Sequence, residues 1–379
     1  TSLQHWPDVP SIVECPAIPL YPVRQQFSNA RTIDDLPGAV HRAVESLLVH
    51  RRPRGRGGIA CGSRGIARIG EIVRAIVASL RVQGIDCVLI PAMGSHGGAT
   101  PDGQAAVLEH LGIVAEGVPV DASIEAEVVG HLANGTPVFV ARSALACDGV
   151  ILVNRIKSHT DFHGPIESGL AKMAGIGLGK RSGAVALHAL GKEGLQRWMP
   201  EAARLVASTG VLLGGIAVIE HARHDVAEVH AVLPEGIAGE HEAALLRRAV
   251  ELQAGLPFDE ADALVVGWIG KDISGTGMDT NVIGRMAIAG EPEPDRPSIG
   301  TIAALRMTAA SGGNGHGMGL ADFVTRALVD AVDLELTYVN ALTSGRCGIQ
   351  RARIPIVLPD DRRAISAAIA CSGQPDLSR

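Results

Sequence analysis

The chain of 379 residues carries 34 Lys and Arg against 40 Asp and Glu, a formal net charge of −6, so no general electrostatic pull draws it to nucleic acid or to an anionic membrane. At this length a single hydrophobic core stops growing and two domains are expected. No apolar run approaches the ~20 residues of a membrane span and no charged-then-apolar leader pattern opens the sequence, which points to a cytoplasmic protein that neither spans nor binds a membrane.

Aromatic residues make up only 3% of the chain while glycines number 46. The core must therefore be built from Ala, Val, Leu and Ile, and the glycine clusters mark tight turns or loops that approach a ligand. The six cysteines, Cys15, Cys61, Cys87, Cys147, Cys347 and Cys371, form no CxxC pair. This fits a reducing compartment and small buried side chains better than a disulfide framework or a zinc knuckle.

In chain order, the basic run "HRRPRGRGG" from His50 reads as a solvated linker before a strand. "GGIACGS" is a strand running into a loop, and "ARIGEIVRAIVASLRVQG" repeats apolar residues at helical spacing. "DCVLIPAMGSHGG" is a second strand and loop, followed by the helix "TPDGQAAVLEHLG" with Thr100 as its N-cap. "DGVILVNRI" and "GVLLGGIAVIE" are further buried strands. This rhythm predicts an α/β fold of two α/β domains with mainly parallel sheets. Their boundary falls in "LPFDEAD" near residue 257, giving domains 1–257 and 258–379, the last residues being able to return to the first. The second domain would begin at "ALVVGWIGKDISGTG" and end near "RIPIVLP".

Ligands of such folds bind beyond the carboxyl ends of the strands, and three polar loops directly follow predicted strands. "CGSRG" offers Arg64, a guanidinium suited to a carboxylate or phosphate or simply a surface arginine. "GSHGGAT" presents His96 between glycines, either approachable by a ligand or bonded to a turn carbonyl. "NRIKSHTDFHG" carries His159, Asp161 and His163, a set able to move protons or hold a metal. Beyond it, Lys172 lies among Gly, Ala and Ile, where a desolvated amine becomes nucleophilic. Alternatively Lys172, Lys180 and Arg181 form an anion patch. His188 ends an apolar stretch, as a core histidine or a ligand. In the second domain, "GKDISGTGMDTN" brings Lys271, Asp272, Asp279 and Asn281, and "SGGNGHGMGLADF" brings His316 and Asp322. Walker A, GxGxxG, HExxH and GxSxG patterns are all missing.

Taken together these segments resemble the lactate racemase superfamily. Four features carry the resemblance in order: "GSRGI" with Arg64, "GSHGGAT" with His96, "IKSH" with His159 followed by "SGLAK" (Ser168, Gly169, Lys172), and His188 sixteen residues beyond that lysine. The resemblance implies a racemase or epimerase of a 2-hydroxy acid, working by hydride transfer to a nickel-pincer nucleotide, pyridinium-3,5-bisthiocarboxylic acid mononucleotide nickel. It implies covalent attachment at Lys172, a cofactor-binding Ser168–Gly169 turn and nickel ligation by His188. His96 and His159 would be the two general acid–base groups and Arg64 the carboxylate clamp, with the active site in the cleft between domains. Partners would be the small-molecule acid, the enzymes that make the cofactor and a second copy in a homo-oligomer.

This chain departs from the family in three places. Cys61 stands where an Asp is common three residues before the arginine, and the longer spacing from His159 to Ser168 leaves His163 as a rival base. After Asp279 and Asn281, the latter a candidate cofactor contact, come Gly284 and Ala287 in place of Gln and Lys. A larger or polyhydroxylated acid is therefore expected rather than lactate. Two other readings stand beside this one. One is redox or elimination chemistry on a sugar acid, with a metal on His159, His163 and His188. The other is a non-catalytic nucleotide- or anion-binding protein.

Overall fold

The computed structural model describes residues 19–27 and 29–374; Cys15 lies outside them. The chain divides into two compact units, one of residues 27–254 and one that joins 19–26 to 255–374. The division thus falls three residues before the expected one. The residues just before the first helix group with the later unit, where Gln25 Nε2 donates to Gly255 O at 3.0 Å.

In the larger unit the strands are β1 (Arg56–Cys61), β2 (Asp86–Pro91), β3 (Ala126–His131), β4 (Pro137–Ala141), β5 (Gly149–Arg155), β6 (Leu212–Glu220) and β7 (Val226–Val232). Five of them form one sheet in the order β2-β1-β5-β6-β7. All its pairings are parallel except β6 with β7, and β3 and β4 make a separate antiparallel pair. Parallel pairing demands crossovers, and these cover both faces. That is why the strands read as continuous apolar runs: every residue of β1 after Arg56 is buried. Ile59 and Cys61 point into one core with Ile72 and Ile76, while Ala60 joins Val88, Leu152 and Leu170 in the other. Each fully buried Leu or Ile contributes ~1.5–3 kcal/mol.

The helices follow from local signals. In α1 (Leu36–His50), Asp35 caps the first turn by accepting from Gly38 N, and Pro37 sits in that turn where its missing N–H costs nothing. The apolar stripe Ile69, Ile72, Val73, Ile76, Leu80 of α2 (Ile69–Val82) is buried at the expected spacing. Thr100 caps α3 (Pro101–His110) as predicted, accepting from Gly103 N at 3.1 Å. Among the described residues no helix is long and apolar enough to cross a membrane.

The smaller unit holds β8 (Glu260–Ile269), β9 (Ser298–Met307), β10 (Phe323–Thr325) and β11 (Ile356–Leu358). They form an all-parallel sheet in the order β11-β10-β9-β8, with Ala364, Ala367 and Ala368 of a closing helix packed on Phe323 and Leu358. Both units are α/β, as the alternation predicts. Cys61 and Cys87 are the small buried residues expected, whereas Cys371, just past that closing helix, is exposed.

Small residues after Leu170 have a packing reason. A Cβ on Gly175 would lie 2.9 Å from Met199 O, and one on Gly177 would lie 2.5 Å from Ala92 O. Gly177→Ala is expected to destabilise the larger unit by about 1–3 kcal/mol, because backbone must move to admit the methyl. Denaturant unfolding followed within that unit checks this; an unchanged midpoint would refute the close approach.

Candidate active site

Register fixes where the three predicted loops go. Cys61 at the end of β1 pairs with Pro91 of β2 and with Val153 of β5, so the loops carrying Arg64, His96 and His159 leave one edge of the sheet side by side. Ala92 N donates to Cys61 O at 2.7 Å, tying the first two together. Ser63 Oγ meets His96 Nδ1 at 2.5 Å. Sequence reasoning passed over Ser63, although it stands directly before Arg64 in "GSRG".

The third loop is closed at its base, where Lys157 and Ser168 exchange backbone hydrogen bonds of 2.9 and 3.3 Å. Within it Glu167, its side chain 6% exposed, accepts from His159 N at 2.6 Å and Gly164 N at 3.1 Å. The His163 ring lies 3.2 Å from the same carboxylate and is half exposed. His159 stacks on buried Phe162 with ring centroids 4.6 Å apart. Glu167 therefore separates the two candidate bases: it holds His163 outward and positions the backbone of His159 inward.

Lys172 lies in a turn that opens as Leu170–Lys172 and widens into a π turn at Met173–Gly177, a form frequent at functional sites. Buried Glu242 accepts from Ala171 N at 3.0 Å and Ala238 N at 2.8 Å, placing a carboxylate at the start of that turn. Asn154 Nδ2 donates to Gly169 O at 2.7 Å. Ser168 and Gly169, expected to touch a cofactor, thus take up backbone roles here, and a side chain on Gly169 would collide with Glu242 and Ile156.

Lys172 Nζ lies 2.8 Å from His159 Nε2, and Asp161 N donates to His159 Nδ1 at 3.1 Å. A neutral imidazole that accepts at Nδ1 carries its proton on Nε2. That proton points at Lys172 and needs a lone pair, which a neutral amine has and an ammonium lacks. The pKa moves the same way: Lys172 is pushed down to about 8, first by burial, with Arg64 and Lys157 reinforcing and Asp161 opposing. At pH 8 roughly a hundredfold more of this amine is neutral than of an ordinary lysine. Brief treatment with an amine-selective acetylating ester is therefore expected to label Lys172 ahead of the surface lysines, as read by peptide mass; equal labelling would refute the neutral amine.

The other members converge on this pair. His96 is pushed down to about 4, first by burial and then by Arg64, Lys172 and His188. His188, the last residue of the helix Lys180–His188, is also lowered, first by burial and then by Lys172, with Asp161 opposing. The Arg64 guanidinium is lowered by burial and by Arg155, against Asp161. Arg155 is itself paired with Glu220, whose other oxygen accepts from Ala67 N at 2.7 Å. Arg64, His96 and His188 each keep surface in solvent, so this group of side chains is reachable from water. Burial and neighbouring cations both act on the imidazoles in one direction, and the His96 ring is neutral at pH 7.

Five predicted residues, Arg64, His96, His159, Lys172 and His188, are thus brought together, and others are not. Lys180 is fully buried while Arg181 is exposed, so they cannot cradle one anion with Lys172. Among the described residues no three His, Cys, Asp or Glu side chains gather to hold a metal; the His159–His163–His188 set is split because His163 turns to Glu167. Asn281 belongs to the smaller unit, where its N and Nδ2 both donate to Asp279 Oδ1 at 3.0 Å. In the same unit Lys271 Nζ donates to Gly275 O and Asn340 Oδ1 at 2.7 Å each, Asp272 accepts from Thr308 at 2.5 Å, Asp322 pairs with Arg285 at 2.7 Å, and His316 is buried.

Residues 63–194 match the lactate racemase N-terminal domain family, a span that contains all five convergent residues. No curated protein matches the sequence. Among solved structures, the lactate racemase apoprotein from Thermoanaerobacterium thermosaccharolyticum is similar in fold, with a TM-score of 0.51 and 13% identity over 92% of this chain and 84% of that one. A structural-genomics protein from Thermotoga maritima matches 64% of this chain with a TM-score of 0.42 and 13% identity, and this chain spans 65% of its length.

Proposed function

Residues 63–194 match the lactate racemase N-terminal domain family, and from that premise we propose that this chain racemises or epimerises a 2-hydroxy acid larger or more hydroxylated than lactate, using a nickel-pincer nucleotide tethered at Lys172. The observation that carries this reading is the convergence of Arg64, His96, His159, Lys172 and His188 at one sheet edge inside the matched segment.

The donors present fit such a group. Attachment requires a neutral amine, and the His159–Lys172 geometry calls for one. Nickel accepts a neutral imidazole, and the His188 ring, held below its ordinary pKa, has no hydrogen-bond partner among the described residues. When bound, the group would supply the hydride acceptor, leaving positioning and electrostatics to the protein.

The chain's own residues would then do four things. Arg64, with no side-chain hydrogen bond of its own among the described residues, would clamp the substrate carboxylate through its planar fork. His96, kept neutral by burial and then by the surrounding cations, and fixed at Nδ1 by Ser63, would accept the hydroxyl proton through Nε2. His159, on a separate loop, would serve the other side of the substrate once the tautomer held by Asp161 N is exchanged for the one with Nε2 free to accept, and would return the proton as acid. The cations around these groups would hold the carboxylate charge through the oxidised stage of the substrate.

The test uses protein produced together with the cofactor-making enzymes and a panel of chiral 2-hydroxy and aldonic acids carrying deuterium at C2. Inversion followed by chiral chromatography, with the deuterium retained in ordinary water, is the expected result, because a hydride carried and returned does not mix with solvent. Deuterium washout with inversion would overturn hydride transfer, and no inversion of any acid would overturn the racemase reading.

A further inference from the structure

Lys180 is a buried cation that the chemistry above does not use. Its side chain has no exposure, and Nζ donates to Pro91 O at 2.6 Å and to Gln104 Oε1 at 3.1 Å. Among the described residues it has no carboxylate partner. Its backbone also sits at φ 53, in the left-handed region that is unfavourable for a residue with a Cβ. A buried charge and a strained backbone at one residue need a compensating purpose.

That purpose is visible in what the lysine holds. Gln104 is also fully buried; it accepts from Lys180 and donates through Nε2 to Gly94 O at 3.0 Å and His96 O at 3.3 Å. Pro91, Gly94 and His96 all lie on the segment that leaves β2 and carries the His96 ring, and Lys180 opens the helix that ends in His188. Every strong acceptor of the pair is a backbone carbonyl of that one loop or the amide joining them. We propose that Lys180 and Gln104 are positioning residues, a buried brace that fixes the His96 loop against the helix bearing His188. The functional weight of the brace rests on the reading of His96 as a proton-transfer group, whereas the brace itself does not.

Three variants, Lys180→Met, Gln104→Leu and Gln104→Glu, test it without a substrate. Met matches the length of Lys and removes a buried charge, a change that is neutral or stabilising where a lysine only fills space. Glu at 104 would pair with Lys180 but offers no N–H to Gly94 O and His96 O, so it keeps the cation satisfied and releases the loop. Backbone amides of residues 92–100 are expected to exchange at least tenfold faster by hydrogen–deuterium mass spectrometry in each variant. The His96 ring signal of carbon-13-histidine-labelled protein is expected to shift, with exchange in β1 and β5 unchanged. Folded variants with wild-type exchange in 92–100 and an unmoved His96 signal would overturn the brace, as would recovery of the wild-type signal in Gln104→Glu. If Lys180→Met does not fold, the two Gln104 variants decide. Because neither readout needs turnover, failure of the racemase reading leaves this result distinct.

Discussion

A Lys172→Ala chain made alongside the cofactor-producing enzymes is expected to show only its polypeptide mass, while the wild-type chain gains a single adduct. The reason is the difference between Lys172 and the second buried lysine of this region. Lys180 is sealed beneath the His96 loop, whereas Lys172 lies 2.8 Å from His159 with its pKa pushed down to about 8. His188→Ala is expected to keep the adduct and lose the nickel, since a single imidazole and a single amine divide the two attachments. Intact-protein mass and metal analysis read the two outcomes separately. An adduct that survives in Lys172→Ala would overturn the tether, and stoichiometric nickel in His188→Ala would overturn the ligand assignment.

The second large effect concerns the bases. His96→Asn and His159→Asn are each expected to lower inversion in both directions by about 10²–10⁴, the usual contribution of a positioned acid–base group. His163→Asn is expected to leave most of the rate, because that ring faces Glu167 and solvent. Chiral chromatography of timed reactions provides the comparison; a loss in His163→Asn as deep as in His159→Asn would reverse the assignment. Attachment at Lys172 bears on this directly. Were Lys172 acylated as proposed, its nitrogen would have no lone pair to accept with and would release the His159 Nε2 that now points at it.

The acid limb follows from the lowered His96. In the unfolded chain an imidazole takes up its proton below pH ~6.5, while the folded ring refuses it until about 4. Between those values the unfolded state binds more protons, so stability falls as pH drops from 6.5 toward 4. His96→Asn should flatten part of that loss in thermal melts. Solvent reaches the ring, which tempers the size of the effect and not its sign.

Much of the fold is legible in the sequence because its signals are local. Unbroken runs such as "VILVNR" can only be strands covered on both faces, and the spacing of Ile69, Ile72, Ile76 and Leu80 can only bury one helical stripe. The three loops with Arg64, His96 and His159 were legible for a related reason: each follows a strand, and parallel strands carry such loops to one edge. The ordered set from Arg64 to His188 needs no long-range knowledge to be noticed.

Tertiary structure decided what two distant segments do to each other. His159 and His163 are near twins in sequence, and only the closure of Lys157 on Ser168 with Glu167 inside turns one inward and the other out. Lys180 looked like part of an anion patch until Pro91 O and Gln104, far away along the chain, were seen to seal it. Gln104 itself, a polar residue in an unremarkable helix, gave no sign of being buried. The lowered pKa of Lys172 likewise depends on its burial and on Arg64 and Lys157 brought near it by the fold. Periodicity and spacing record which residues face a core or end a strand; which donor meets which acceptor is set by packing, and that is where the chemistry of this chain is decided.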